Sequence, residues 1–110
     1  MKFSVFTKGL LSERSKGLCE YCGLGVSEPQ YHHRRPRGMG GTKRADSGGP
    51  ENAVVVHPAC HVLIESNRNA SLRDGFLVWQ HKSPADSPIL LNGKWVLLNR
   101  DGSTTVYLRG

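Results

Sequence analysis

Two short runs of metal-ligating residue types, Cys19-Glu20-Tyr21-Cys22 and His57-Pro58-Ala59-Cys60, constrain this chain more than any other feature. Each places two ligands two residues apart, the spacing at which a tight turn offers both to one ion. Together they supply Cys19, Cys22, His57 and Cys60 as a Cys3His set for a structural zinc. Pairing the two runs brings together the ends of an insert of 34 residues, longer than a simple zinc ribbon encloses, so the insert is where function is expected. The competing readings of Cys19 and Cys22 are buried thiols or a redox pair, and the redox version lacks its strand-to-helix context. Three cysteines cannot all pair in disulfides, which points to a reducing compartment.

The insert opens with Tyr31-His32-His33-Arg34-Arg35-Pro36-Arg37 and runs into Gly38-Met39-Gly40-Gly41. Gln30 to Arg35 reads as a strand, Gly38 to Gly41 as a turn, and the polar run from Thr42 to Pro50 as a loop. Asn52-Ala53-Val54-Val55-Val56 returns as an apolar strand. Pro58 suits a first helical position, and the pattern continues as a helix to about Asn69. Adjacent side chains in a strand point to opposite faces, so His32 and His33 are expected to have different tasks.

Upstream, Val5, Phe6, Leu10 and Leu11 recur at roughly helical spacing between Ser4 and Lys16, with Gly17 as the cap. Downstream of Ser71, Phe76–Trp79, Ile89–Leu91, Lys94–Leu98 and Thr104–Leu108 read as strands of a meander, with turns at Asn92-Gly93 and Asp101-Gly102. The expected architecture is α+β, with a zinc-stapled core over residues 1–70 and a meander over 71–110 that belongs to the same domain. With 110 residues and a net charge of +6, the chain suits one loop-rich domain and favours a polyanionic partner without proving one. The N-terminus interrupts its apolar residues too early for a signal peptide and no window approaches a membrane span, so a soluble, cytoplasmic protein is expected.

A zinc with four protein ligands has no open position, so catalysis would need a second metal. His32, His61 and Glu65 are its candidate ligands, the last two at i, i+4 on one helix face. For Glu65, a solvated residue or a partner for Arg68 is an equal alternative. His33, on the other side of the strand from His32, is expected near its ordinary pKa, where it can serve as a general base. Asn52 can lock the loop by bonding backbone groups near that strand. Arg34, Arg35, Arg37, Lys43 and Arg44 are candidate phosphate ligands. The plainer alternative is a solvated basic loop that carries two histidines.

Between Cys19 and Arg68 these motifs resemble the HNH endonucleases of the ββα-metal fold, in particular the small zinc-stapled proteins that bacteriophages encode beside their packaging genes. The resemblance rests on Cys19-x-x-Cys22, on His32-His33-Arg34-Arg35-Pro36-Arg37-Gly38-Met39-Gly40-Gly41, on Asn52, and on Cys60-His61. It implies that His33 is the general base, Asn52 the loop lock, and His32 and His61 metal ligands. It further implies a metal-dependent DNA endonuclease, serving phage packaging or recombination in the host cytoplasm, with DNA and terminase subunits as partners and no small-molecule cofactor. Two positions depart from the pattern. His57 replaces the usual cysteine, and Glu65 stands where many relatives have a second histidine, which shifts the expected catalytic metal toward Mg2+ or Mn2+. The alternative is a non-catalytic zinc-stapled DNA-binding module. The resemblance covers about half the chain, and the meander after Ser71 is either an added DNA-contacting surface or a lid on the core.

Overall fold

Ala53, Val54, Val55 and Val56 are all buried, and they divide by alternation between two apolar clusters. Val54 and Val56 meet Cys19, Cys60, Ile64, Phe76, Leu77, Ile89, Val96 and Leu98. Ala53 and Val55 meet Phe3 and Leu11 on the opposite face. A β-branched run without polar alternation is what a strand covered on both sides requires. The computed structural model describes residues 3–36 and 45–108. Its radius of gyration, 12.7 Å, matches the ~13 Å expected of a single compact unit of this length.

Helix α1 (Val5–Ser15) leads to strand β1 (Gln30–His33), which pairs antiparallel with β2 (Ala53–Val56) so that His32 faces Val54 and His33 faces Ala53. Helices α2 (Pro58–Ser66) and α3 (Arg68–Asp74) follow. Strands β3 (Ile89–Leu91), β4 (Lys94–Leu98) and β5 (Thr104–Val106) then form a second antiparallel sheet in sequence order. Short 3-10 turns lie at Ala45–Gly48, Pro50–Asn52 and Pro84–Asp86. Among the described residues the architecture is thus α+β, with three α-helices and two small antiparallel sheets, and no helix is long and apolar enough to cross a membrane.

Local chemistry explains most boundaries. The Ser4 hydroxyl accepts from the Thr7 amide and starts α1, and Lys16, at φ 55°, ends it one residue before the glycine expected to do so. The buried face of α1 is Thr7, Leu11 and Ser15, while Val5 and Phe6, expected to be on that face, are 88% and 76% exposed. The single helix expected to run to Asn69 is broken at Asn67, whose ψ of 61° departs from helical geometry and whose side-chain amide donates to the Leu63 carbonyl. Asn92 and Gly93 both have positive φ, the signature of a tight two-residue hairpin turn. Phe76–Trp79, expected as a strand, is irregular because its amides are taken elsewhere: Leu77 donates to the Ser71 carbonyl and Val78 to that of Arg34.

Two arginines, Arg14 and Arg34, join these parts. Arg14 forms a two-pronged pair with Glu20 (2.8 and 2.7 Å) and also donates to the carbonyls of Pro50 and Ala53. Glu20 in turn accepts from the Val55 amide. Arg34 is fully buried. Its guanidinium donates to four main-chain carbonyls, those of Gly75 (2.8 Å), Glu51 (2.8 Å), Pro84 (3.1 Å) and Ser87 (2.8 Å). Burial pulls its pKa down to about 9, which leaves it charged at neutral pH. These bonds tie the end of β1 to chain beyond Ser71, and residues on both sides of Ser71 contribute to one core.

Replacing Arg34 with Met should take this donor from the carbonyls of Gly75, Glu51 and Ser87, while the Pro84 carbonyl keeps the Ser87 amide. Urea unfolding should show a loss of at least ~3 kcal/mol, since each buried group left without a partner costs ~1–3 kcal/mol. The exposed Arg73→Met control should stay within ~0.5 kcal/mol of the parent. Arg34→Lys should recover only part of the loss, because an ammonium has three donors and lacks the planar fork.

Candidate metal centres and active-site cleft

The first centre is built by a knuckle and a helix start. Gly23, at φ 82°, permits the turn in which the Gly23 amide donates to the Cys19 carbonyl and the Cys22 amide points at the Cys19 sulfur (3.5 Å). On the other side, His57 caps α2, Pro58 opens it, and Cys60 lies in its first turn. The ligand atoms of Cys19, Cys22, His57 and Cys60 all lie within 4.8 Å of one another. His57 Nδ1 is 3.3 Å from the Cys22 sulfur and 3.8 Å from that of Cys60. These values bracket the ~3.6 Å edge of a tetrahedron with Zn–S and Zn–N bonds of ~2.3 and ~2.1 Å. The other ring nitrogen, Nε2, lies 2.8 Å from the Gly25 carbonyl. That bond fixes the tautomer with Nδ1 free to ligate.

The electrostatics of this cluster reflect sulfurs crowded together. Burial, followed by the neighbouring Cys19 and Cys22 sulfurs, pushes the Cys60 thiol up to about 12. For Cys19 burial acts upward too, but hydrogen bonds from the backbone of Cys22, His57 and Tyr21 outweigh it and bring the thiol down to about 7. The Cys60 thiol therefore keeps its proton at neutral pH unless positive charge lies beside it. The four side chains can hold a structural zinc, and the donor set, the ring–sulfur distances and the fixed tautomer all suit one.

Beside this centre lies a cleft of about 590 Å³ lined by Tyr31, His32, His33, Pro36, His61, Glu65, Arg68 and Leu77. The alternation of β1 and the turn of α2 converge on it, and ligand atoms of His32, His61 and Glu65 lie within 4.8 Å of one another. His32 is buried, and its Nε2 lies 2.9 Å from the Phe76 carbonyl. A carbonyl only accepts, so Nε2 carries the proton and Nδ1 the lone pair. Burial lowers this imidazole to about 4, so it is neutral at pH 7, as a metal ligand must be. His61 Nδ1 lies 2.7 Å from Gln30 Oε1, and its Nε2 lies 3.0 Å from Glu65 Oε1. Neighbouring ligands at right angles on ~2.1 Å bonds would also stand ~3.0 Å apart.

His33 contributes to the same cleft although its ring is turned away from His32 and stacks on Phe3 (centroids 4.1 Å, planes 20° apart). Its Nε2 is shielded and has no hydrogen-bond partner among the described residues. The expectation of an ordinary pKa needs correction: burial, then the nearby His61, lowers it. Asn52 is fully buried, accepting from the Arg35 amide (2.6 Å) and donating to the carbonyls of Arg35 (3.3 Å) and Ser47 (3.0 Å). It thereby joins the start and the end of the long connection between β1 and β2.

The expected phosphate ligands divide differently. Arg34 and Arg35 are 0% and 3% exposed, which corrects their assignment to DNA. Arg34 serves backbone carbonyls, while Arg35 pairs with Asp46 and donates to the Lys82 carbonyl. Arg37, Lys43 and Arg44 lie outside the described residues. Arg68, on the cleft rim, is an exposed cation the phosphate assignment passed over. Gln30, Phe3 and the Phe76 carbonyl were also missed, and only the aromatic ring carried any signal in the sequence. No known family, curated protein or solved structure matches the chain.

The zinc centre makes a direct prediction. Elemental analysis should find one zinc per chain after dialysis against a mild chelator. His57→Cys should retain it, while His57→Ala should lose zinc and melt at lower temperature because binding and folding free energies are linked. A folded, zinc-free parent would refute the assignment.

Proposed function

We propose that the chain is a metal-dependent DNA endonuclease of the HNH, ββα-metal type, stapled by zinc at Cys19, Cys22, His57 and Cys60. One observation carries the reading: His32 and His33 from β1, and His61 and Glu65 from α2, line a single cleft. Binding DNA alone needs no such group of imidazoles. The arrangement β1, long connection, β2, α2 also follows the ββα order that the resemblance implies.

In this reading His32, His61 and Glu65 hold a divalent cation, which when bound would stabilise charge developing on the phosphate and the leaving 3′-oxygen. His33, whose lowered pKa favours the neutral imidazole, takes a proton from the attacking water. The water oxygen bonds to phosphorus and the bond from phosphorus to the 3′-oxygen breaks. Phe3 restricts the base by stacking against its ring. Asn52 holds the strand end that carries it. Arg68 is placed on the rim to meet a phosphate as a charged, exposed guanidinium.

Plasmid nicking across a panel of divalent ions tests the reading. The parent should cut with Mg2+ or Mn2+, and His33→Ala should keep its fold and zinc while cutting ~10²–10⁴-fold more slowly, the usual worth of a general base. A folded His33→Ala that nicks at the parent rate removes the general-base role. A parent that binds DNA yet never cuts it is instead a zinc-stapled binding module.

A further inference from the structure

We infer that Gln30 is a positioning residue for the cleft: its side-chain carbonyl takes the Nδ1 proton of His61 and so turns the Nε2 lone pair toward Glu65 and His32. The inference rests on the reading of the cleft as a cation site, and it concerns how that site is oriented.

A neutral imidazole carries one N–H, yet His61 has an oxygen at each nitrogen, Gln30 Oε1 at 2.7 Å and Glu65 Oε1 at 3.0 Å. One of the two contacts therefore sets a lone pair against an oxygen, unless the ring gains a second proton or a cation joins the two atoms. The shorter contact places the proton on Nδ1. The lone pair of Nε2 then stands beside the carboxylate, where only positive charge makes the pairing favourable. An amide turned to donate would do the opposite, leaving Nε2–H to bond Glu65 and closing the site as a simple His–Glu hydrogen bond.

His32 shows the same arrangement without that choice, because its outer partner is a main-chain carbonyl. Phe76 takes the proton of Nε2, and Nδ1 is left with its lone pair. The two rings are thus anchored through opposite nitrogens, one by a residue that precedes the histidines and one by chain beyond α3, while His32, His61 and Glu65 each bring a ligand atom to a common place. Outer partners of this kind fix both the tautomer and the orientation of ligating imidazoles. Gln30 is well suited to act so. Its main chain is held opposite Val56 in the β1–β2 ladder, whereas the residue itself is exposed and can be replaced without disturbing the core.

The test is Mn2+ binding to the zinc-loaded full chain, followed by loss of the free-ion electron paramagnetic resonance signal. Gln30→Leu cannot accept the proton and should bind Mn2+ ~10–100-fold more weakly, with zinc content and melting temperature unchanged. Gln30→Glu retains an acceptor and should bind at least as tightly as the parent. Parent-like affinity in Gln30→Leu overturns the inference while leaving the cation site intact, and so does a loss in Gln30→Glu equal to that in Gln30→Leu, which would make the amide a donor. A parent that takes up no Mn2+ overturns the cation-site reading and this inference with it.

Discussion

The Arg34 guanidinium is the interaction on which the rest of the structure turns. It is a buried charge whose direct partners are four main-chain carbonyls drawn from the turn before β2, the end of α3 and the connector before β3. Few side chains other than arginine can serve so many acceptors in one plane. The effect is to bind the hairpin that carries His32 and His33 to the segment that carries Phe76. That segment supplies the carbonyl anchoring His32, so it forms part of the wall of the cleft. Phe76, through its carbonyl, and Leu77 thus belong to the surroundings of the cleft.

Helix α2 links the two candidate metal sites. Its first turn faces the cysteine knuckle through His57 and Cys60, and the next positions, His61 and Glu65, face the cleft. An ion bound in the first centre would fix the direction of the helix and hence the places of both cleft ligands. The Arg14–Glu20 pair adds a second restraint, because Glu20 lies inside the knuckle and also bonds Val55 of β2. Such a pair gives little net stability once its desolvation is counted, and its contribution here is to fix where the knuckle sits against β2.

The sequence made some of this legible because the signals are local. Two ligands two residues apart, a helix opened by proline, an Asn-Gly turn and a run of valines each describe their own neighbourhood. The convergence of His32, His61 and Glu65 follows from two such local patterns once the knuckles pair. The fate of the arginines was not legible. A run of basic residues after two histidines looks the same whether it meets phosphate or main chain, and carbonyls at positions 51, 75, 84 and 87 leave no trace in residue identity. The break of the helix at Asn67 and the irregular path of Phe76–Trp79 were hidden for a related reason, since both depend on hydrogen bonds to other parts of the chain. The ordinary pKa expected for His33 failed because burial beneath Phe3 is a tertiary fact.

The proposed function requires two distinct metal sites in one small fold, a closed one that would shape it and an open one that would take part in chemistry. Anomalous scattering from crystals grown with zinc and soaked in Mn2+ tests it most directly. The account predicts a zinc peak among Cys19, Cys22, His57 and Cys60 and a separate manganese peak among His32, His61 and Glu65. A zinc peak alone, with the cleft residues bonded to one another around no ion at saturating Mn2+, would contradict it.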